Sequence, residues 1–188
     1  MKKQRLHQIG TTSDGVPVFV KKMNHASTHN HPRNITLEAI SKITLNKDDE
    51  FQTHVVEFER SIGYSNCVKV SGQDQIIYAV RRYRDRPSRM VKGYTPQPCN
   101  SLVVILKKSP NSKRAMLVTA FIGEKDSALS TPWSGHLKKG TEKYKASVSF
   151  WKSHALIFEG EDIKRVLSNE EAMALEKEYF ENTEELER

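Results

Sequence analysis

Six cationic side chains, Arg81, Arg82, Arg84, Arg86, Arg89 and Lys92, stand within twelve residues against one acid, Asp85. Five of the six are arginine, whose planar fork can hold two phosphate oxygens at once. They follow directly on the strand-like run Gln75-Ile76-Ile77-Tyr78-Ala79-Val80. The chemistry this pattern suits is the gripping of an anion. If that anion is RNA, cleavage without a metal needs a base near the 2'-hydroxyl, an acid at the leaving oxygen and cations around the phosphorane. The chain has those residue types. His54 and His154 are the acid and base candidates, Arg82, Arg84, Arg86, Arg89 and Lys92 the phosphate clamp, and Ser88 and Thr119 the hydrogen-bond donors. Each also has an ordinary reading. A lone histidine at a strand or helix edge commonly satisfies backbone groups, and Thr119, between Val118 and Ala120, fits a β-branched core position.

Other chemical signals are weaker. His25, His29 and His31 resemble a metal cluster in spacing, but Asn24, Asn30 and Pro32 predict a loop there, and no cysteine or carboxylate stands close enough to complete a shell. No metal site is expected. Trp133 and Tyr94 could stack on bases beside cations, as aromatics do in single-strand binders, although a tryptophan next to Pro132 also serves to pin a long loop to a core. The glycine-rich phosphate loops are missing, as is Gly-x-Ser-x-Gly, so neither a nucleotide-dependent enzyme nor a common serine hydrolase is expected. No cofactor is called for. Cys67 and Cys99 are too few for a disulfide framework and form no Cys-x-x-Cys, which predicts reduced thiols.

The charge is uneven along the chain. The total is +7, yet residues from Glu159 onward hold eleven acids against four lysines and arginines, which leaves about +14 on the first 158 residues. A basic body with an acidic end attracts polyphosphate, while the end stays solvated, repels nucleic acid or folds back over the basic face. A surface that is simply rich in lysine and arginine is the plain alternative. The first residues, Met-Lys-Lys-Gln-Arg-Leu-His-Gln, have the charges of a signal peptide without an apolar stretch after them, and no eighteen apolar residues run together, which predicts a cytoplasmic protein with no membrane span. Hydrophobic content of 37% across 188 residues supports one folded domain.

The elements that would position these residues can be read in order. Val16–Val20 reads as a strand, and Asn34 as the N-cap of a short helix through Ile35, Leu37, Ile40 and Ile43. Short strands follow at about Val55–Phe58, Cys67–Val70 and Gln75–Tyr83. Leu102–Leu106 and Met116–Ile122 are apolar on both alternating faces and are separated by Ser-Pro-Asn-Ser, which predicts a hairpin of central strands. Gly123–Lys143, with Trp133, Gly135, His136 and the Lys138-Lys139 pair, reads as a long loop. Tyr144, Val148, Trp151, Ala155 and Phe158 recur at helical spacing and predict a core-facing helix, with His154 on its shoulder. Ser168-x-x-Glu171 is a capping box, opening a helix through Ala172, Leu175, Tyr179 and Leu186. The fold class is α+β: a mainly antiparallel, curved sheet with packing helices. Residues 1–45 hold the first strand, the histidine-rich loop and the short helix, 46–160 the basic core and 161–188 the acidic helix, all in one domain.

The strand ending in arginines, then Ser88-Arg89-Met90-Val91-Lys92, then Leu102–Leu106 and Leu117-Val118-Thr119-Ala120-Phe121, resembles the barnase, EndoU, colicin and RelE-like ribonucleases over about residues 50–158. That resemblance implies a small bacterial toxin or a phage or mobile-element effector that cuts RNA without a metal, with RNA as the expected partner and an acidic inhibitor or partner protein as a further candidate. The long Gly123–Lys143 segment and the acidic C-terminal helix depart from that pattern. Two functions of different class stand side by side: a metal-independent endoribonuclease, or a non-catalytic module binding nucleic acid or an acidic protein partner.

Overall fold

The computed structural model describes residues 6–21, 33–82, 84–159 and 163–181. The fold is α+β with mostly antiparallel sheets, and the chain forms two compact units of interleaved segments, Met1–Ser65 with Gln97–Ala128, and Asn66–Pro96 with Leu129–Arg188. The stretch 46–160 read from the sequence as one basic core is thus shared between the units. The histidines at 25, 29 and 31 lie outside the described residues, as do Tyr83 and Leu186.

In the first unit, strands β1 (His7–Thr11), β2 (Pro17–Val20), β3 (Phe51–Glu57), β9 (Ser101–Lys107) and β10 (Ala115–Ile122) form a sheet in the order β1-β2-β10-β9-β3. The hairpin of doubly apolar strands is found where it was expected: β9 and β10 pair antiparallel at the centre, with Leu102, Val103, Val104 and Leu106 buried. Helix α1 (Arg33–Lys42) sets Ile35, Ala39 and Ile40 into the core formed by Val18, Val20, Leu102, Leu106 and Leu117. Asn34 stands inside this helix and not at its cap. A two-stranded ribbon, β4 (Gly63–Ser65) with β8 (Gln97–Cys99), leans on β10. Gly63 has φ 153°, and a Cβ there would run into Ile122 Cδ1, so the ribbon can approach only with glycine at that point.

The second unit holds β5 (Cys67–Lys69), β6 (Ile76–Arg81), β7 (Pro87–Val91), β11 (His154–Ile157) and β12 (Ile163–Val166) in the order β12-β6-β7-β11-β5. Helix α2 (Glu142–Ser153) opens on Thr141, whose hydroxyl accepts from the Tyr144 amide, and buries Tyr144, Val148 and Trp151. It ends earlier than its apolar spacing suggests. Ser153 Oγ donates to Phe150 O at 3.1 Å and His154 Nδ1 lies 3.0 Å from the same carbonyl, so the final turn is closed by side chains and the chain leaves extended. Ala155 and Ile157 therefore bury themselves as alternate residues of a strand beside β7, and Phe158 is only partly buried. A spacing of three or four residues after Trp151 fits both outcomes, and sheet pairing decides between them. The capping box is present as read, with Ser168 and Glu171 bonded reciprocally at the start of α3 (Asn169–Glu176), which runs on into a π-helical turn, Lys177–Glu181.

No helix among the described residues is long and apolar enough to cross a membrane.

Candidate functional site

The arginine run folds as a hairpin. β6 and β7 pair antiparallel with Val80 opposite Pro87 and Ile76 opposite Val91, so Arg82, Arg84, Asp85 and Arg86 stand at its tip. Alternation and register then distribute the charges. Arg82, Arg84 and Arg86 are exposed at the tip, and none of the three is ion-paired to another described residue. Desolvation and then the charge of Arg81 hold the Arg84 guanidinium below its usual pKa, but an arginine remains cationic at neutral pH. Ser88 and Arg89 fall inside the sheet, Arg89 with only 7% of its surface exposed. Its Nη1 donates to His154 O at 3.2 Å, its Nε lies 3.6 Å from Glu176 Oε1, and its guanidinium sits 5.7 Å from the centre of the Phe180 ring. Lys92 is at the opposite end of β7, over Phe158 at 5.3 Å. Six residues of extended chain put it roughly 20 Å from Arg86. Of the clamp expected from sequence, the structure gathers Arg82, Arg84 and Arg86.

The long loop that carries Trp133 supports this tip, with the tryptophan pinning it to the core. Trp133 is buried and donates its indole N–H to Pro87 O at 2.7 Å, which fastens the turn Pro132–Ser134 to the first residue of β7. Gly135 follows at φ 75°, and a Cβ built on it would lie 3.7 Å from Arg86 Nη2. The next residue is His136, exposed, with Lys138 and Lys139 just beyond. Lys139 is ion-paired to Glu178 at 3.3 Å, which holds its pKa above the ordinary lysine value through that hydrogen bond. The Gly-His-x-Lys-Lys spacing after a tryptophan is the sequence signal for this loop, but only the packing of Trp133 and Gly135 shows that it reaches Arg86. The two aromatics considered for base stacking are engaged elsewhere: Trp133 in the core, and Tyr94 partly buried with its hydroxyl donating to Asp74 Oδ2 at 2.9 Å.

His154 belongs to the same unit as the tip. It stacks on Phe150 with ring centres 4.1 Å apart and an angle of 8°, and its partly buried ring keeps Nδ1 against the Phe150 carbonyl. Nδ1 lies 3.0 Å from Ser153 Oγ as well, and in the tautomer that donates to the Phe150 carbonyl the Nε2 lone pair is left for other work. Leu156 is level with Met90 on β7, which sets His154 level with Ser88, two residues from Arg86 along the strand. His54 and Thr119 are in the first unit. His54 lies in β3 opposite Val104, with Nε2 buried and without a hydrogen-bond partner among the described residues, and burial holds its pKa below the usual value, against the opposing pull of Asp14. Thr119 lies opposite Ile105 in β10, beyond a bulge at Val118. Among the described residues no three histidine, cysteine or carboxylate side chains converge as metal ligands.

No protein-family model matches the chain, and no curated protein does. A solved structure of a conserved hypothetical protein from Toxoplasma gondii ME49 aligns with 69% of this chain and 85% of its own length, at 15% identity and a TM-score of 0.43.

Proposed function

We propose that the chain binds RNA, acting in the cytoplasm, and that the β6–β7 tip takes the phosphate backbone through Arg82, Arg84 and Arg86. The observation that carries this reading is the exposure of three neighbouring arginines, none paired to a described acid, on a turn that Trp133 anchors to the core. Three forks on one turn suit successive phosphates better than they suit a single small anion. An acidic protein partner is the alternative occupant. RNA binding to the tip weakens linearly in log–log form as salt rises, and R82Q/R84Q/R86Q lowers that slope by about 2, three single-strand contacts at about 0.7 each. An unchanged slope in the triple variant would overturn the assignment of the tip.

A second reading, metal-independent cleavage by an endoribonuclease of the toxin or mobile-element type, is favoured by one observation. His154 has its ring fixed by Phe150 and its Nδ1 occupied, the arrangement in which Nε2 can accept a proton. In this reading His154 is the base, the tip arginines stabilise the charge on the phosphorane, and an acidic inhibitor would occupy the same cations.

A further inference from the structure

The sheet of the first unit has α1 and the core on one face. On the other face the register aligns Phe51, Lys107, Met116 and Phe19 in one row across β3, β9, β10 and β2, each alternating with a buried residue of its strand. Phe51 is 59% exposed, although an edge strand could carry a polar residue there at little cost. Both rings of the row carry cations: Lys107 Nζ lies 4.8 Å from the centre of Phe51, and the Arg114 guanidinium 5.8 Å from that of Phe19. The β9–β10 turn at this end reads Lys107-Lys108-Ser-Pro-Asn-Ser-Lys113-Arg114, with four cations and no acid. Glu50 bonds Lys107 at 3.2 Å, and Lys108 helps hold the Asp14 carboxyl below its usual range after that group's hydrogen bonds. Lys113 and Arg114 are exposed and in no ion pair with a described residue.

Three strand spacings separate the two rings, about 14 Å, the span of a few nucleotides. We infer that this row is a binding site for single-stranded nucleic acid, with bases stacking on Phe51 and Phe19 and phosphates held by Lys108, Lys113 and Arg114. A duplex hides the faces of its bases and would not use the rings. An acidic protein would answer to the cations alone. The site is independent of the β6–β7 tip and does not rest on it.

The test uses the whole chain carrying Phe51→Trp, the emission of the introduced indole being read over that of the buried Trp133 and Trp151. Short oligo(U) quenches that emission to saturation, the quench persists when R82Q/R84Q/R86Q is added, and K108Q/K113Q/R114Q weakens it by about tenfold or more at low salt. Unmoved emission overturns the site, whether or not labelled oligo(U) binds elsewhere by anisotropy, a measurement that reports separately on the tip. Equal quenching by an RNA duplex of the same length, or loss of the quench with the tip substitutions, also overturns it.

Discussion

Arg89 Nε stands 3.6 Å from Glu176 Oε1, and the Tyr78 hydroxyl donates to that same oxygen at 2.7 Å, so one carboxylate from α3 serves two strands of the second sheet. Tyr78 and Arg89 are cross-strand partners on β6 and β7. Burial, and then the bond to Glu176, pushes the tyrosine pKa far up, which keeps Tyr78 a donor at every accessible pH. Of the outcomes open to the acidic end, its described part folds back against the sheet: Phe180, in the turn after α3, is buried against Trp133 with ring centres 5.9 Å apart.

Removal of Arg89 should therefore act on stability first. R89A takes the cation from a carboxylate that keeps a third of its surface, so the loss falls somewhat below that for a fully buried pair, at about 2 to 4 kcal/mol. R89M/E176Q keeps an acceptor for Tyr78 and removes both charges, and should recover at least half of that loss. Urea denaturation measures both. A loss under about 1 kcal/mol in R89A would mean that the ion pair contributes little and that packing against Phe180 holds the segment.

Trp151 is the second test of the core. It is buried, and its indole N–H donates to Leu129 O at 2.9 Å, tying α2 to the segment that precedes Pro132. Trp151→Ala should cost about 3 to 5 kcal/mol. Trp151→Phe keeps most of the volume and loses the bond, so its cost isolates the hydrogen bond at about 1 to 2 kcal/mol. Equal losses in the two variants would show that the bond to Leu129, and not the volume, carries the effect.

His54 makes the stability of the first unit depend on pH. Its folded pKa lies below 6.5 because burial disfavours the charged ring, and its Nε2 has no partner among the described residues. The unfolded chain takes up a proton near pH 6.5 while the folded chain resists, so this contribution is whole above that pH. It is lost as the pH falls from there to the depressed folded value, with a slope of at most about 1.4 kcal/mol per pH unit. His54→Val places an apolar β-branched residue in a strand and should flatten the stability profile between pH 7 and pH 5. A profile that keeps its slope in the variant would assign the effect to other groups.

Elements whose evidence is local were legible in the sequence. The β9–β10 hairpin shows as two apolar runs around a turn, and the Ser168 cap as two residues three apart. The pairing of β11 with β5 and β7, which joins His154 to Lys69 and Leu156 to Met90, leaves no period to read, because its partners are far apart in the chain. That pairing is also what ends α2 at Ser153 and builds the second unit from separated segments. The arginine run looked uniform because charge is visible in sequence and burial is not. The register that sets Arg89 opposite Tyr78 is what separates it from Arg82, Arg84 and Arg86.

The two readings of function part at His154. Under both, the unmodified chain binds RNA at the tip with a salt-dependent affinity to which the tip arginines contribute. Cleavage adds that RNA is cut in the presence of a chelator, and that His154→Gln lowers the rate by about 10²- to 10⁴-fold while the affinity moves little, because a general base acts on the transition state and not on the bound ground state. His154→Gln can still meet the Phe150 carbonyl with its amide, so a fold change is not built into the variant, and circular dichroism with urea denaturation checks that. His136→Gln removes the imidazole of the residue after Gly135, the glycine packed near Arg86, without touching the Phe150 contact. A rate that falls in H154Q and not in H136Q assigns the base to His154, whereas the reverse moves it to the loop that Trp133 holds. RNA that is bound with the expected salt slope, and left uncut by the unmodified chain, removes the enzyme and leaves the binding protein.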